Sequence, residues 1–210
     1  MFRATKAVLL DALGTLIELE PPWPHLTRDL GVNPAAAERA MRAEMSYYRD
    51  HAHEAVDAAS LRDLRERCAA LISAELGCEV PVERMMAAIR FRAAADAAPA
   101  LDELRRRGLR LVCVSNWDYA LPAVIERCGL GGKLDAVVTS AGAGARKPDP
   151  AIFRLALELA DCEPAEALHV GDTAQEDVDG ARGAGIPALL LDRAGGADIS
   201  SLGEVAEHLR

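Results

Sequence analysis

Five short stretches of the chain are mostly apolar: residues 7–11, 109–115, 136–139, 168–172 and 188–192. A strand with one wet face alternates apolar and polar residues. These runs do not alternate, so both of their faces must be covered. Parallel sheets with helices on both sides meet that condition. Helix signals fill the intervals between the last four runs. Residues 119–128 close at Gly129. Asp149 offers an N-cap with Pro150 at the first helical position, opening a helix toward Ala160. Thr173 and Glu176 have the spacing of a capping box, opening a helix toward Gly183 or Gly185. The alternation predicts an α/β protein built on a doubly wound parallel sheet.

One interval breaks this rhythm. Residues 17–97 contain no convincing strand. Asn33-Pro34 opens a helix that carries Met41, Met45 and Tyr48 at helical spacing. Ser60 is the expected cap of a second helix, with Leu61, Leu64, Cys68, Leu71 and Leu76 near one face. Residues 82–92 make a third. The expected organisation is an α/β core domain from residues 1–16 and 98–210, with an α-helical cap domain at 17–97. The Pro-rich segment 20–25 and the Ala-rich segment 93–100 are its expected hinges.

Composition narrows the partners. With 210 residues, half of them apolar, the chain can bury a full core. A formal charge of −9 without a basic block argues against a nucleic-acid groove or an anionic membrane surface. No apolar run approaches the roughly 20 residues of a membrane span. The chain starts directly on a strand-like run, without a signal-peptide layout. Cys68, Cys78, Cys113, Cys128 and Cys162 are odd in number and scattered, as expected for reduced thiols. These features predict a soluble, cytoplasmic protein with no nucleic-acid or membrane partner. They assign no oligomeric state.

In open α/β sheets, ligands bind beyond the carboxyl ends of the strands. Asp11, Ser115, Thr139 and Asp172 fall at such ends. A helical insert placed straight after the first strand would hang over that crevice. A Gly14-Thr15 turn follows Asp11, Asn116 follows Ser115, Lys147 lies between Arg146 and Pro148, and Asp177 stands in the turn after Asp172. Three carboxylates at one end of a sheet repel one another unless a cation joins them. Hard oxygen donors suit Mg²⁺. Lys147 and such an ion would together neutralise a phosphoryl group during transfer.

Asp-x-x-Gly-Thr-Leu at 11–16, Val-Ser-Asn at 114–116, Lys-Pro-Asp-Pro at 147–150 and Val-Gly-Asp-x-x-x-x-Asp-Val-x-Gly-Ala at 170–181 stand in this order. The set resembles the four motifs of the haloacid dehalogenase (HAD) superfamily of hydrolases, over nearly the whole chain. The insert resembles that of the subgroup with an α-helical cap after the first motif. The resemblance implies a Rossmann-like core and hydrolysis of a small phosphorylated metabolite. It implies that Asp11 is the nucleophile and forms an aspartyl-phosphate. Ser115 would hold a phosphoryl oxygen, with Thr15 and Asn116 as further phosphate contacts, and Lys147 would pair with Asp11 and the phosphate. Mg²⁺ would be bound by Asp11, the backbone carbonyl of Leu13, Asp172 and Asp177, the last directly or through water.

Leu13 departs from the pattern. Phosphatases of the family place a second Asp there as general acid and base. Losing proton transfer typically removes about 10²–10⁴-fold in rate. A substrate with a good leaving group, such as an acyl phosphate, suffers least. His25 is the expected stand-in. Two alternatives follow. One is a 2-haloacid dehalogenase-like hydrolase, whose family pattern has a nonacidic residue at this place but Ser-Asn where this chain has Gly171-Asp172. The other is a catalytically impaired member that binds a phosphorylated ligand or partner. A phosphonatase needs a lysine in the cap. The chain's lysines are Lys6, Lys133 and Lys147, none of them in the insert. Taken singly, Asp11 could form a turn, Ser115 or Asn116 could cap a helix, and Asp177 could favour a helix's first turn.

Overall fold

In the computed structural model, which describes residues 4–209, Ala7–Leu10 forms β1 and buries all four side chains. Val8 and Leu10 point to one face, Ala7 and Leu9 to the other. The absence of alternation in this run is therefore the consequence of two covered faces.

The chain then forms β2 (Ile17–Glu20), α1 (Trp23–Leu30), α2 (Pro34–His51), α3 (Ala58–Leu76), α4 (Val82–Ala88) and β3 (Arg90–Ala93). It continues through α5 (Ala97–Arg106), β4 (Arg110–Ser115), α6 (Leu121–Arg127), β5 (Ala136–Thr139), α7 (Ser140–Ala143), α8 (Pro150–Ala160), β6 (Ala167–Gly171), α9 (Gly180–Gly183) and β7 (Ala188–Leu190). The main sheet has the order β5-β4-β1-β6-β7 and is parallel throughout. Leu10 pairs with Cys113 on one side and Val170 on the other, so β1 ends two residues before the last of β4 and one before the last of β6. Leu101, Leu104, Leu121 and Ile125 from α5 and α6 cover one face against Val8, Leu10 and Leu111. Ile152, Phe153 and Ala156 from α8 cover the other against Leu9, Val112 and Val114. Among the described residues no helix is long and apolar enough to cross a membrane, and the five cysteines form no disulfide.

Helices α1–α4 share a separate apolar cluster that includes Leu26, Met41, Leu64, Cys68, Ile72 and Met85. They rest on the sheet's carboxyl end. The Tyr48 hydroxyl donates to Asp118 Oδ2 at 2.6 Å, and the Tyr119 N–H donates to the Ala55 carbonyl at 3.0 Å.

Four local expectations are corrected. The interval 17–97 does contain strands: β2 and β3 pair antiparallel, with Ile17 opposite Ala93 and Glu20 opposite Arg90. Their Ile-Glu-Leu-Glu and Arg-Phe-Arg-Ala sequences alternate, but each is only four residues long. The third helix accordingly stops at Ala88, and β3 takes its last residues. Asp57 is the cap of α3, while Ser60 is the third residue of a capping box and donates back to Asp57. A carboxylate can accept from two successive backbone N–H groups, here those of Ala59 and Ser60, and so takes the cap position. Thr173 does not cap. Its hydroxyl donates to Asp172 Oδ1 at 3.2 Å, and its N–H donates to Asp177 Oδ2 at 3.0 Å, ahead of a π-helical turn at Ala174–Asp179.

The turn that leaves β1 depends on a glycine. Gly14 has φ +86°, and a Cβ there would fall 1.9 Å from Asp172 Oδ2. Asp172 occupies space that any other residue would fill. Gly14→Ala is expected to strain the backbone by about 1–3 kcal/mol and to expel the Asp172 carboxylate. Thermal unfolding should record a Tm lowered by roughly 2–10 °C.

Candidate active site

The middle strand of a parallel sheet delivers its next residue to the centre of the carboxyl edge. For β1 that residue is Asp11, which is 5% exposed. Its Oδ1 accepts from Ser115 Oγ at 3.1 Å, at the end of β4, and from Lys147 Nζ at 2.6 Å. Lys147 comes from the loop between α7 and α8 and is 2% exposed. Its ammonium also donates to Asp177 Oδ1 at 2.5 Å. A buried ammonium thus sits between two buried carboxylates.

The backbone of Lys147 is fixed by Asn116. The Asn116 carbonyl oxygen accepts from the Lys147 N–H at 2.7 Å, and its amide donates to the Lys147 carbonyl at 3.0 Å. The same amide donates to Glu176 at 3.0 Å, and Glu176 lies 3.6 Å from Arg146. The side chain of Asn116 therefore orients Lys147. Thr15 is fully buried, and its hydroxyl has no hydrogen-bond partner among the described residues.

Burial pushes the Asp11 carboxyl up to about 7. Lys147 opposes the rise and Asp177 adds to it. Burial likewise pushes Lys147 down, but Asp11 and Asp177 outweigh it and hold the ammonium above the ordinary lysine range. Burial and Asp177 raise Asp172. Asp177 moves the other way: burial works to raise it, but Lys147 and His169 bring it below the usual carboxylate range. Oxygens of Asp11, Asp172 and Asp177 all lie within 4.8 Å of one another. One ammonium among three acids leaves a negative excess, and the donors are hard oxygens, so the cluster fits a divalent cation.

His169 was not among the residues singled out in the sequence. It lies inside β6, fully buried, with Nε2 at 3.0 Å from Asp177 Oδ1 and its ring edge-on to Phe153 at 5.2 Å. Burial keeps it neutral more readily than an exposed histidine. Its Nδ1 has no partner among the described residues, so the proton belongs on Nε2, which donates to the ionised Asp177. A lone histidine within an apolar strand, two places before Gly171, was the available signal. Gly171 admits Asp177, since a Cβ there would lie 2.1 Å from the Asp177 carboxyl carbon.

Leu13 packs against the apolar cluster that contains Trp117. His25 is on α1, with Nε2 at 3.8 Å from Glu20 and a buried Nδ1 that has no hydrogen-bond partner among the described residues. The geometry thus brings together Asp11, Ser115, Lys147, Asp172 and Asp177. This assembly can present an ionised carboxylate to an electrophile while positive groups neutralise developing negative charge.

Residues 5–185 match the family model for haloacid dehalogenase-like hydrolases. Haloacid dehalogenase-like hydrolase domain-containing protein 3 of Bos taurus is 48% identical over 87 residues, which is 41% of this chain and 35% of that protein. The phosphoserine phosphatase of Thermus thermophilus is 41% identical over 99 residues, which is 47% of this chain and 40% of that protein. The matched segment thus spans 35–40% of the length of these curated relatives. The L-2-haloacid dehalogenase of Xanthobacter autotrophicus superposes with a TM-score of 0.74, covering 97% of both chains at 23% identity, a likeness of fold. The chain belongs to the haloacid dehalogenase-like hydrolase family.

Proposed function

We propose that the protein is a Mg²⁺-dependent phosphohydrolase of small phosphorylated metabolites, with Asp11 as nucleophile and residues 17–97 acting as a cap over the site. The carrying observation is the double grip of Ser115 and Lys147 on Asp11 Oδ1, beside the acids at 172 and 177. The phosphatase name of the Thermus thermophilus relative supports the same direction. Reduced thiols agree with a cytoplasmic setting.

Asp11, Asp172 and the Leu13 carbonyl would hold the Mg²⁺. Asp177 would assist through water, because its oxygens already accept from Lys147, His169 and Thr173. When bound, the ion supplies positive charge that favours the ionised form of Asp11 and offsets phosphoryl charge. Ionised Asp11 attacks phosphorus. A bond from its carboxylate oxygen to phosphorus forms as the bond to the leaving oxygen breaks. Lys147 and Ser115 neutralise the phosphoryl oxygens as charge shifts onto them. Leu13 carries no proton, so the leaving group departs as an anion and is protonated by solvent. Water then attacks the aspartyl-phosphate, the bond to Asp11 breaks, and inorganic phosphate leaves.

The position of Leu13 against an apolar cluster supports a second function, in which the protein binds a phosphorylated ligand without turnover. The dehalogenase alternative has less support, because Asp172 and Asp177 are both present. Halide release from 2-chloropropionate in EDTA tests it.

Acetyl phosphate should be hydrolysed with Mg²⁺ and not in EDTA. Asp11→Asn should lower the rate by roughly 10³-fold or more. Wild type equal to Asp11→Asn on every activated phosphate overturns the phosphohydrolase. Leu13→Asp should raise hydrolysis of alkyl phosphates, which have poor leaving groups, by up to about 10²–10⁴-fold. If only this variant turns over, the natural protein is a binder.

The elevated Asp11 gives a pH signature. Without metal it is protonated below about 7 and ionised above. Mg²⁺ binding should therefore release a proton below about 7 and almost none above about 8.5, with affinity falling as the pH drops. Titration calorimetry in two buffers of different ionisation enthalpy measures that release.

A further inference from the structure

The helical insert leaves and rejoins the sheet through two backbone crossings. The outgoing one runs from Asp11 through Gly14 and Thr15 into β2, and the returning one runs from β3 through Asp96 into α5. A single side chain holds both. Arg193, just past the end of β7, donates from Nη1 to the Gly14 carbonyl at 2.5 Å and from Nη2 to the Thr15 carbonyl at 2.9 Å. Nη2 also donates to Asp96 Oδ1 at 2.7 Å. Asp96 Oδ2 accepts from the Leu202 N–H at 2.9 Å, tying the returning crossing to the chain's last turns. Burial works to raise the Asp96 carboxyl, but Arg193 and Leu202 hold it below its usual range.

The two crossings meet directly above this point. The Ala94 N–H donates to the Leu16 carbonyl at 3.0 Å, and Ile17 pairs with Ala93. Below it, the same turn carries the nucleophile. The N–H groups of Leu16 and Ile17 both donate to the Ala12 carbonyl at 2.8 Å, and Gly14 lies against the Asp172 carboxylate. The planar fork of an arginine can hold three acceptors in fixed directions, which an ammonium cannot.

We propose that Arg193 is a positioning residue that clamps the base of the β2–β3 ribbon. It keeps the turn between Asp11 and Ile17 in place beneath the helical insert. Its effect on turnover rests on the phosphohydrolase function proposed above; the clamp itself does not.

The test uses Arg193→Met, which keeps the stem but removes the fork, Arg193→Lys, and Asp96→Asn, which weakens the hold on the returning crossing alone. Hydrogen exchange in the wild type and variants follows peptides over residues 12–18 and 91–97, with peptides from β4 and β6 as the global reference. Arg193→Met should speed exchange in both segments by about tenfold or more while the reference is unchanged, with Arg193→Lys close behind it. Asp96→Asn should act on 91–97 only. With acetyl phosphate, kcat of Arg193→Met should fall by roughly 10- to 100-fold while KM changes less than about threefold, as expected when a reacting group is slightly misplaced. Exchange unchanged at 12–18, or raised no more than in β4 and β6, overturns the clamp. A kcat within about twofold of wild type in both Arg193 variants overturns its bearing on the reaction. Exchange needs no turnover, so it decides the clamp even if the wild type hydrolyses no substrate.

Discussion

A lysine ammonium taken out of water between two carboxylates is the interaction on which the rest of this structure depends. Lys147 touches Asp11 and Asp177 at 2.6 and 2.5 Å, and all three groups are nearly inaccessible. Removing one partner from such a buried pair typically costs about 3–5 kcal/mol, because the survivor is left charged and dry. Four neighbouring groups support this arrangement. Asn116 fixes the Lys147 backbone, His169 and the Thr173 N–H hold Asp177, and Ser115 shares Asp11. The lysine carries charge but cannot balance three acids, and the residual negative excess suits the cluster to a divalent cation.

The fold brings these groups together from distant parts of the chain. Asp11 and Ser115 meet because β1 pairs directly with β4 and the two strands end within two residues of each other in register. Strand register sets where Asp11 and Ser115 arrive, while the loops after β5 and β6 set the Lys147 and Asp177 positions. Two missing side chains complete the geometry. Gly14 and Gly171 leave the volumes that the carboxylates of Asp172 and Asp177 fill. These glycines act as shape as much as flexibility.

The parallel sheet was legible because its signal is a property of each run by itself: four or five apolar residues with no polar alternation. Asp11, Ser115 and Asp172 were singled out because the ends of such runs are where ligands bind, and Lys147 and Asp177 by the motifs they stand in; the structure brings the five together. What escaped was pairwise. β2 and β3 are too short to announce themselves singly and lie about 70 residues apart, so only their pairing makes them strands. Thr173 and Glu176 satisfied a capping pattern locally, yet Asp172 and Asn116 outcompeted the helix for their side chains. His169 read as one polar residue in an apolar strand until Asp177 folded back onto it. Arg193 gave no pattern at all, since its three acceptors come from two crossings that are distant in sequence.

Leu13 separates two contributions that acidic residues at this position would combine. In the proposed reaction, electrostatic stabilisation requires fixed charge and donors around the phosphoryl group, and Lys147 and Ser115 would supply them. Proton transfer requires a titratable group beside the leaving oxygen, and an apolar side chain packed against the core cluster is not one. A site with the first and not the second accelerates bond-making to Asp11 but does nothing for an alkoxide that must leave unprotonated. Its rate then tracks the stability of the departing anion. Carboxylate and phenolate leaving groups lie on the favourable side of that dependence, and simple alcohols lie several powers of ten away.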